Sequence, residues 1–120
     1  MSDPSLIQAA RVIPAREGDI EVTSITAGAA SSAIAMPGAG YHKVAVCDGA
    51  GVPIDYCYLT AKVGSEPADP NPTATSGTGR TQLYTAAELG ALSFARDEQI
   101  KVYAVGSGTV YVRVSPSEPA

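Results

Sequence analysis

The chain has 120 residues, enough for one hydrophobic core and too few for two. It is 45% hydrophobic, contains 12 glycines and 9 prolines, no tryptophan and one phenylalanine, and carries a formal net charge of −4. With 8 scattered basic residues against 12 acidic ones, it lacks the clustered cations that bind phosphate, which argues against a nucleic-acid or anionic-membrane partner.

Residues 1–18 carry Leu6, Ile7, Val12 and Ile13 among Pro, Arg and Asp, and Pro4 and Pro14 break any long helix, so an N-terminal arm is predicted. No basic segment followed by an apolar run opens the chain, and no stretch approaches the roughly 20 apolar residues of a membrane span. A soluble protein made in a cytoplasm is expected. From Asp19 to Thr26 the alternation Ile20, Val22, broken by Ser24 before Ile25, predicts a strand with a bulge. Ser32 to Met36 reads as a shorter strand that ends at the turn cluster Pro37-Gly38-Ala39-Gly40.

Tyr41 to Cys47 and Gly51 to Val63 are predicted to form a hairpin around Asp48-Gly49-Ala50-Gly51. Pairing Cys47 with Gly51 sets Val46 against Val52, Val44 against Ile54 and Lys43 against Asp55, with Tyr56 and Tyr58 continuing the apolar face. In this register Cys57 faces Tyr41, roughly 20 Å along the strand from Cys47. A disulfide needs Cα atoms within about 7 Å, so both thiols are expected to be free, which suits a reducing compartment.

Between Gly64 and Arg80 the sequence GSEPADPNPTATSGTGR is too polar for a core element, and a long loop is predicted over residues 64–82. Thr85-Ala86-Ala87-Glu88 is a capping box that opens a helix near residues 85–92, kept to a turn or two by Gly90. Ser93 to Ala95 follows as a short strand. The stretch Gln99 to Ser115 then reads as a second hairpin around Gly106-Ser107-Gly108, with Val105 paired to Thr109. Ala104 would face Val110, Val102 would face Val112 and Ile100 would face Val114, so six apolar side chains share one face. On the other face Tyr103 would oppose Tyr111, and Lys101 would oppose Arg113. Two cations directly opposed are destabilising, so that face is expected to meet an acidic neighbour or to stay solvated. Residues 116–120 are a polar tail.

These elements predict an all-β chain, an antiparallel β-sandwich or jelly-roll-like barrel of about six to eight strands, with its domain at residues 19–115. Reactive chemistry is sparse. His42 is the sole histidine, and neither a nucleophile elbow nor a cysteine-protease signature surrounds a possible partner for it, so it is read as an ordinary strand residue facing Tyr56. One histidine and two distant thiols do not make a zinc site, and no acidic repeat resembles a calcium loop. Gly77-Thr78-Gly79-Arg80 lacks the Lys-Ser/Thr ending of a phosphate-binding loop. No catalytic residue, metal or cofactor is predicted.

The order of motifs carries a resemblance. A polar stretch TAGAASSAIAM, the Pro-Gly-Ala-Gly turn, KVAVCDGAGVPIDYCYL, a Pro-rich loop and EQIKVYAVGSGTVYVRV follow one another between Ile25 and Val114. This pattern resembles small virion proteins of tailed bacteriophages, the β-sandwich head-decoration or cement type. The resemblance implies a structural protein that binds the major capsid protein and copies of itself, as a trimer, on the capsid surface after assembly in the host cytoplasm. The expected partner face is Lys101, Tyr103, Tyr111 and Arg113, with the arm residues Leu6, Ile7, Val12 and Ile13 and the 64–80 loop beside it. A carbohydrate- or receptor-binding module using exposed tyrosines is the alternative, as is a small tail or head-to-tail component. A hydrolase is disfavoured because no nucleophile and base can be assembled.

Overall fold

Ile100, Val102, Ala104, Val110, Val112 and Val114 are all buried, as their alternation requires, yet they belong to two sheets instead of one. The computed structural model describes residues 20–37, 40–70 and 82–117. Its elements are β1 (Glu21–Thr26), β2 (Ile34–Ala35), β3 (Tyr41–Cys47), β4 (Tyr56–Val63), β5 (Gln82–Thr85), α1 (Ala86–Gly90), β6 (Phe94–Ala95), β7 (Glu98–Ala104) and β8 (Thr109–Ser117). Sheet A has the order β1-β8-β3-β6 and sheet B the order β2-β7-β4-β5, with every neighbouring pair antiparallel. Read position by position, the two orders match each strand with its neighbour in the chain: β1 with β2, β8 with β7, β3 with β4, β6 with β5. This is the jelly-roll arrangement, an all-β sandwich closed by repeated crossings between layers.

The two predicted hairpins are therefore arches. Gln99 to Ser115 does not pair with itself; β7 pairs with β4 and β2, while β8 pairs with β1 and β3. A period of two fixes which side of a strand is apolar, and that side is the same whether the strands lie side by side or face each other across the core. What decides the arch is the linker. Gly106 and Gly108 adopt φ of 120° and 92°, values open to glycine, and swing the chain from one layer to the other. This crossing interlocks with the one after β1: the Ala27 amide donates to the Gly108 carbonyl and the Gly28 amide to the Ala104 carbonyl, each at 2.8 Å. Gly28 sits at φ 87°, and a Cβ there would stand 3.1 Å from the Gly106 oxygen.

The first arch differs from the predicted hairpin in the same way. Cys47 bridges Pro53, two residues beyond Gly51, and the Ile54 amide donates to the Val46 carbonyl at 2.9 Å. The Asp48 carboxylate widens the turn by accepting from the Ala50 and Val52 amides at 2.9 and 3.0 Å. Past Ile54 the chain crosses to sheet B and its phase inverts, so Cys57 and Leu59 enter the core while Tyr56 and Tyr58 turn outward. Lys43 lies opposite Ser115 and makes no pair with Asp55, and Cys57 lies opposite Ala104 and Tyr84 instead of Tyr41. Both thiols are free and buried.

β1 also departs from its prediction. Its register with β8 is regular over all six residues, with no bulge, and it turns Ile25 inward, leaving Val22 56% exposed on the outer face. At the other end of the chain β8 runs through Pro116 to Ser117, beyond the predicted boundary. Pro116 costs no ladder bond, because its nitrogen faces the β1 side at a level that β1, ending opposite Val114, does not reach. The capping box forms as predicted: the Thr85 hydroxyl accepts from the Glu88 amide at 3.2 Å, and the Thr85 amide donates to the Glu88 carboxylate at 2.9 Å. The helix ends at Gly90 and places Leu89 in the core with Phe94, Leu59 and Tyr84.

Candidate protein interface

Each sandwich layer has one outer face, and the two are treated differently. On sheet B the alternate residues Tyr58, Thr60 and Lys101, Tyr103 point away from the core. The chain leaving β4 folds back over them: Pro67 and Pro70 are buried, the Thr60 hydroxyl donates to the Ala68 carbonyl, and the Lys101 ammonium contacts Glu66 at 3.0 Å and Asp69 at 2.7 Å. Lys101 is 8% exposed. The hydrogen bonds it donates to Asp69 and then to Glu66 hold its pKa above the usual lysine value. Tyr103 stands edge-on to Tyr58, ring centres 6.2 Å apart and planes at 80°, an arrangement favoured by the ring quadrupoles.

Sheet A has no such cover among the described residues. Its outer face presents Val22 and Ser24 from β1, Tyr111, Arg113 and Ser115 from β8, and Tyr41, Lys43 and Ala45 from β3, with Cys47 on the same side but buried. Arg113 lies between Val22 and Ala45, and Tyr111 between Ser24 and Cys47. The Asp48 turn rises at the end of this face. Its carboxylate accepts from two amides of its own turn through Oδ1, which stiffens the turn at the rim of this face. Val22, Cys47, Asp48, Gly49, Gly51, Tyr111 and Arg113 surround a shallow depression of 210 Å³. Among the described residues Arg113 has no ion pair, and Tyr41 is 45% exposed.

The predicted face of Lys101, Tyr103, Tyr111 and Arg113 is accordingly divided between opposite sides of the molecule. Tyr111 and Arg113 remain together on sheet A; Lys101 and Tyr103 lie on sheet B, where the expected acidic neighbour is supplied by the chain's own Glu66 and Asp69. Val22, Lys43 and Tyr41 join the sheet A face in their place. Exposed Val22 is the member that the alternation concealed, since its spacing from Ile20 reads as core. Leu6, Ile7, Val12 and Ile13 lie outside the described residues, as does the loop from residue 71 to 81 with Gly77-Thr78-Gly79-Arg80.

His42 points into the sandwich, 2% exposed, opposite Phe94 and Pro116 instead of Tyr56. Among the described residues its Nδ1 has no hydrogen-bond partner and no nucleophile is paired with it. An apolar cleft of 90 Å³ lies where β3, β5 and α1 meet, lined by Val44, Val46, Ile54, Cys57, Tyr84 and Leu89. Burial pushes the Cys57 thiol up to about 11, so at neutral pH it stays a protonated apolar group and not a nucleophile. Comparison with protein-family models, with curated proteins and with solved structures finds no match to this chain.

Proposed function

We propose that this chain is a non-enzymatic binding protein that docks onto a protein partner through the outer face of sheet A, and that it serves as a capsid decoration protein of a tailed bacteriophage. The observation that carries the docking surface is the contrast between the faces among the described residues: on sheet B residues 66–69 contact Thr60 and Lys101 and pair the lysine with two acids, while on sheet A exposed Val22, half-buried Tyr111 and an Arg113 without an ion pair surround one depression. A rigid aromatic, an arginine and an apolar neighbour are the residue types that anchor protein interfaces. The capsid as partner rests on the resemblance of the sequence pattern to decoration proteins, an analogy of pattern and fold. Attachment would add buried area across the joints between capsid subunits and bring acidic side chains of the shell to Arg113 and Lys43.

Sedimentation of the purified chain with assembled shells tests the reading. The wild type should co-sediment, and Tyr111→Ser with Arg113→Ser should not, while both keep the same circular dichroism. A carbohydrate-binding module would use the same tyrosine, and binding to a glycan array with no retention on shells would favour that reading instead.

A further inference from the structure

Among the described residues the sheet edges are short except one. β2 and β6 have two residues each and β5 has four before α1 takes over, whereas β1 offers six regular residues, Glu21-Val-Thr-Ser-Ile-Thr26, with no proline, lysine or bulge to blunt them. The Ala27 amide bonds Gly108 in the β8 register, so the backbone groups of Thr23 and Ile25 face β8 and those of Val22, Ser24 and Thr26 face outward. None of the described residues bonds those outward groups, and an open edge of this kind is a template for another strand.

We infer that β1 pairs antiparallel with β1 of a second copy about a two-fold axis through Ser24. The occupant follows from the strand's own symmetry. Val22, Ser24 and Thr26 are spaced evenly about Ser24, so this register lets all the outward backbone groups bond: Ser24 with its counterpart, Val22 with the second copy's Thr26. On the inner side Thr23 meets Ile25, closing the groove that Glu21, Thr23, Ile25 and residues 29–35 leave open at this end of the sandwich. The two Glu21 residues fall at opposite ends of the paired strands, so no like charges oppose each other. The contact is isologous and closes at two copies, unlike the trimer that the resemblance implies. It makes one continuous sheet from the two A sheets and sets two copies of the Tyr111 and Arg113 face side by side, whatever that face binds.

Light scattering from low micromolar to submillimolar concentration should give twice the 12.2 kDa chain mass. Ser24→Pro removes an outward amide without touching the β8 ladder and should give the monomer mass with unchanged circular dichroism. Ser24→Cys provides the second test. Opposed Cα atoms in a hydrogen-bonded antiparallel pair lie about 5.5 Å apart, inside disulfide range, so mild oxidation should convert this variant almost wholly to a covalent dimer. Thr26→Cys should not cross-link, since the two copies of residue 26 lie about 14 Å apart in this register. A monomeric or trimeric wild-type mass, a Ser24→Pro dimer, or equal cross-linking of the two cysteine variants would overturn the inference.

Discussion

Replacing Gly28 with alanine probes the interlocked crossings directly. Gly28 has φ 87°, and its added Cβ would lie 3.1 Å from the Gly106 oxygen, on a loop fixed by two 2.8 Å backbone bonds. Gly51 offers the control: its φ is 83°, but a Cβ there meets nothing within 4 Å. A left-handed non-glycine residue costs about 1–2 kcal/mol, reduced by about 0.4–1 kcal/mol because alanine has less freedom to lose from the unfolded chain. Gly51→Ala should therefore cost about 1 kcal/mol. Overpacking against a backbone that cannot retreat adds about 1–3 kcal/mol, so Gly28→Ala should cost about 2–4 kcal/mol. Urea unfolding monitored by circular dichroism, with the slope unchanged, reads both values. If Gly28→Ala were no more destabilising than Gly51→Ala, the crossings after β1 and β7 would not touch, and the arch at Gly106 to Gly108 would be wrong.

Three further outcomes follow from individual contacts. Lys101→Met should release the 64–70 segment from sheet B, seen as faster proteolysis within Gly64 to Pro70, while Lys62→Met, at an exposed site on the same face, should not. The contribution of Cys57 to stability should be constant below about pH 9 and fall as pH rises through about 11: there the unfolded chain releases the Cys57 proton, normally lost near 9.0, while the native state holds it, so the native state binds more protons and loses ground. The rise at Cys57 corresponds to about 3 kcal/mol across that window, Lys101 acts in the same direction, and Cys57→Ala should flatten much of the alkaline fall in urea titrations. Thr85→Ala should cost about 0.5–2 kcal/mol in thermal unfolding by stripping the capping box.

Which side of the strand is apolar was legible in β3, β7 and β8 and misread in β1 and β4; which strand lies beside it was not legible. Ile100 to Val114 shows this most clearly, because the same six inward residues satisfy a hairpin in one layer and an arch across two. The hydrogen-bonded partner depends on how Gly106 and Gly108 turn the chain, a backbone property that side-chain periodicity does not encode. The capping box at Thr85 and Glu88 was legible because it is complete within four residues. The proposed docking face was half legible. Tyr111 and Arg113 are outward by parity in either topology, but Lys101 opposite Arg113 followed from the hairpin, and the acids that neutralise Lys101 come from a loop 32 and 35 residues away in the chain. Val22 was hidden by Ile20 two residues earlier, since β1 takes its phase from Ile25.

The most direct test of the account is the occupancy of this chain on purified phage particles that carry it, measured by quantitative mass spectrometry for the wild type and two paired variants. Decoration of the shell predicts hundreds of copies per particle, lost in Tyr111→Ser with Arg113→Ser on sheet A and retained in Lys62→Ser with Leu83→Ser on sheet B. About a dozen copies, or loss of occupancy only in the sheet B pair, would contradict it.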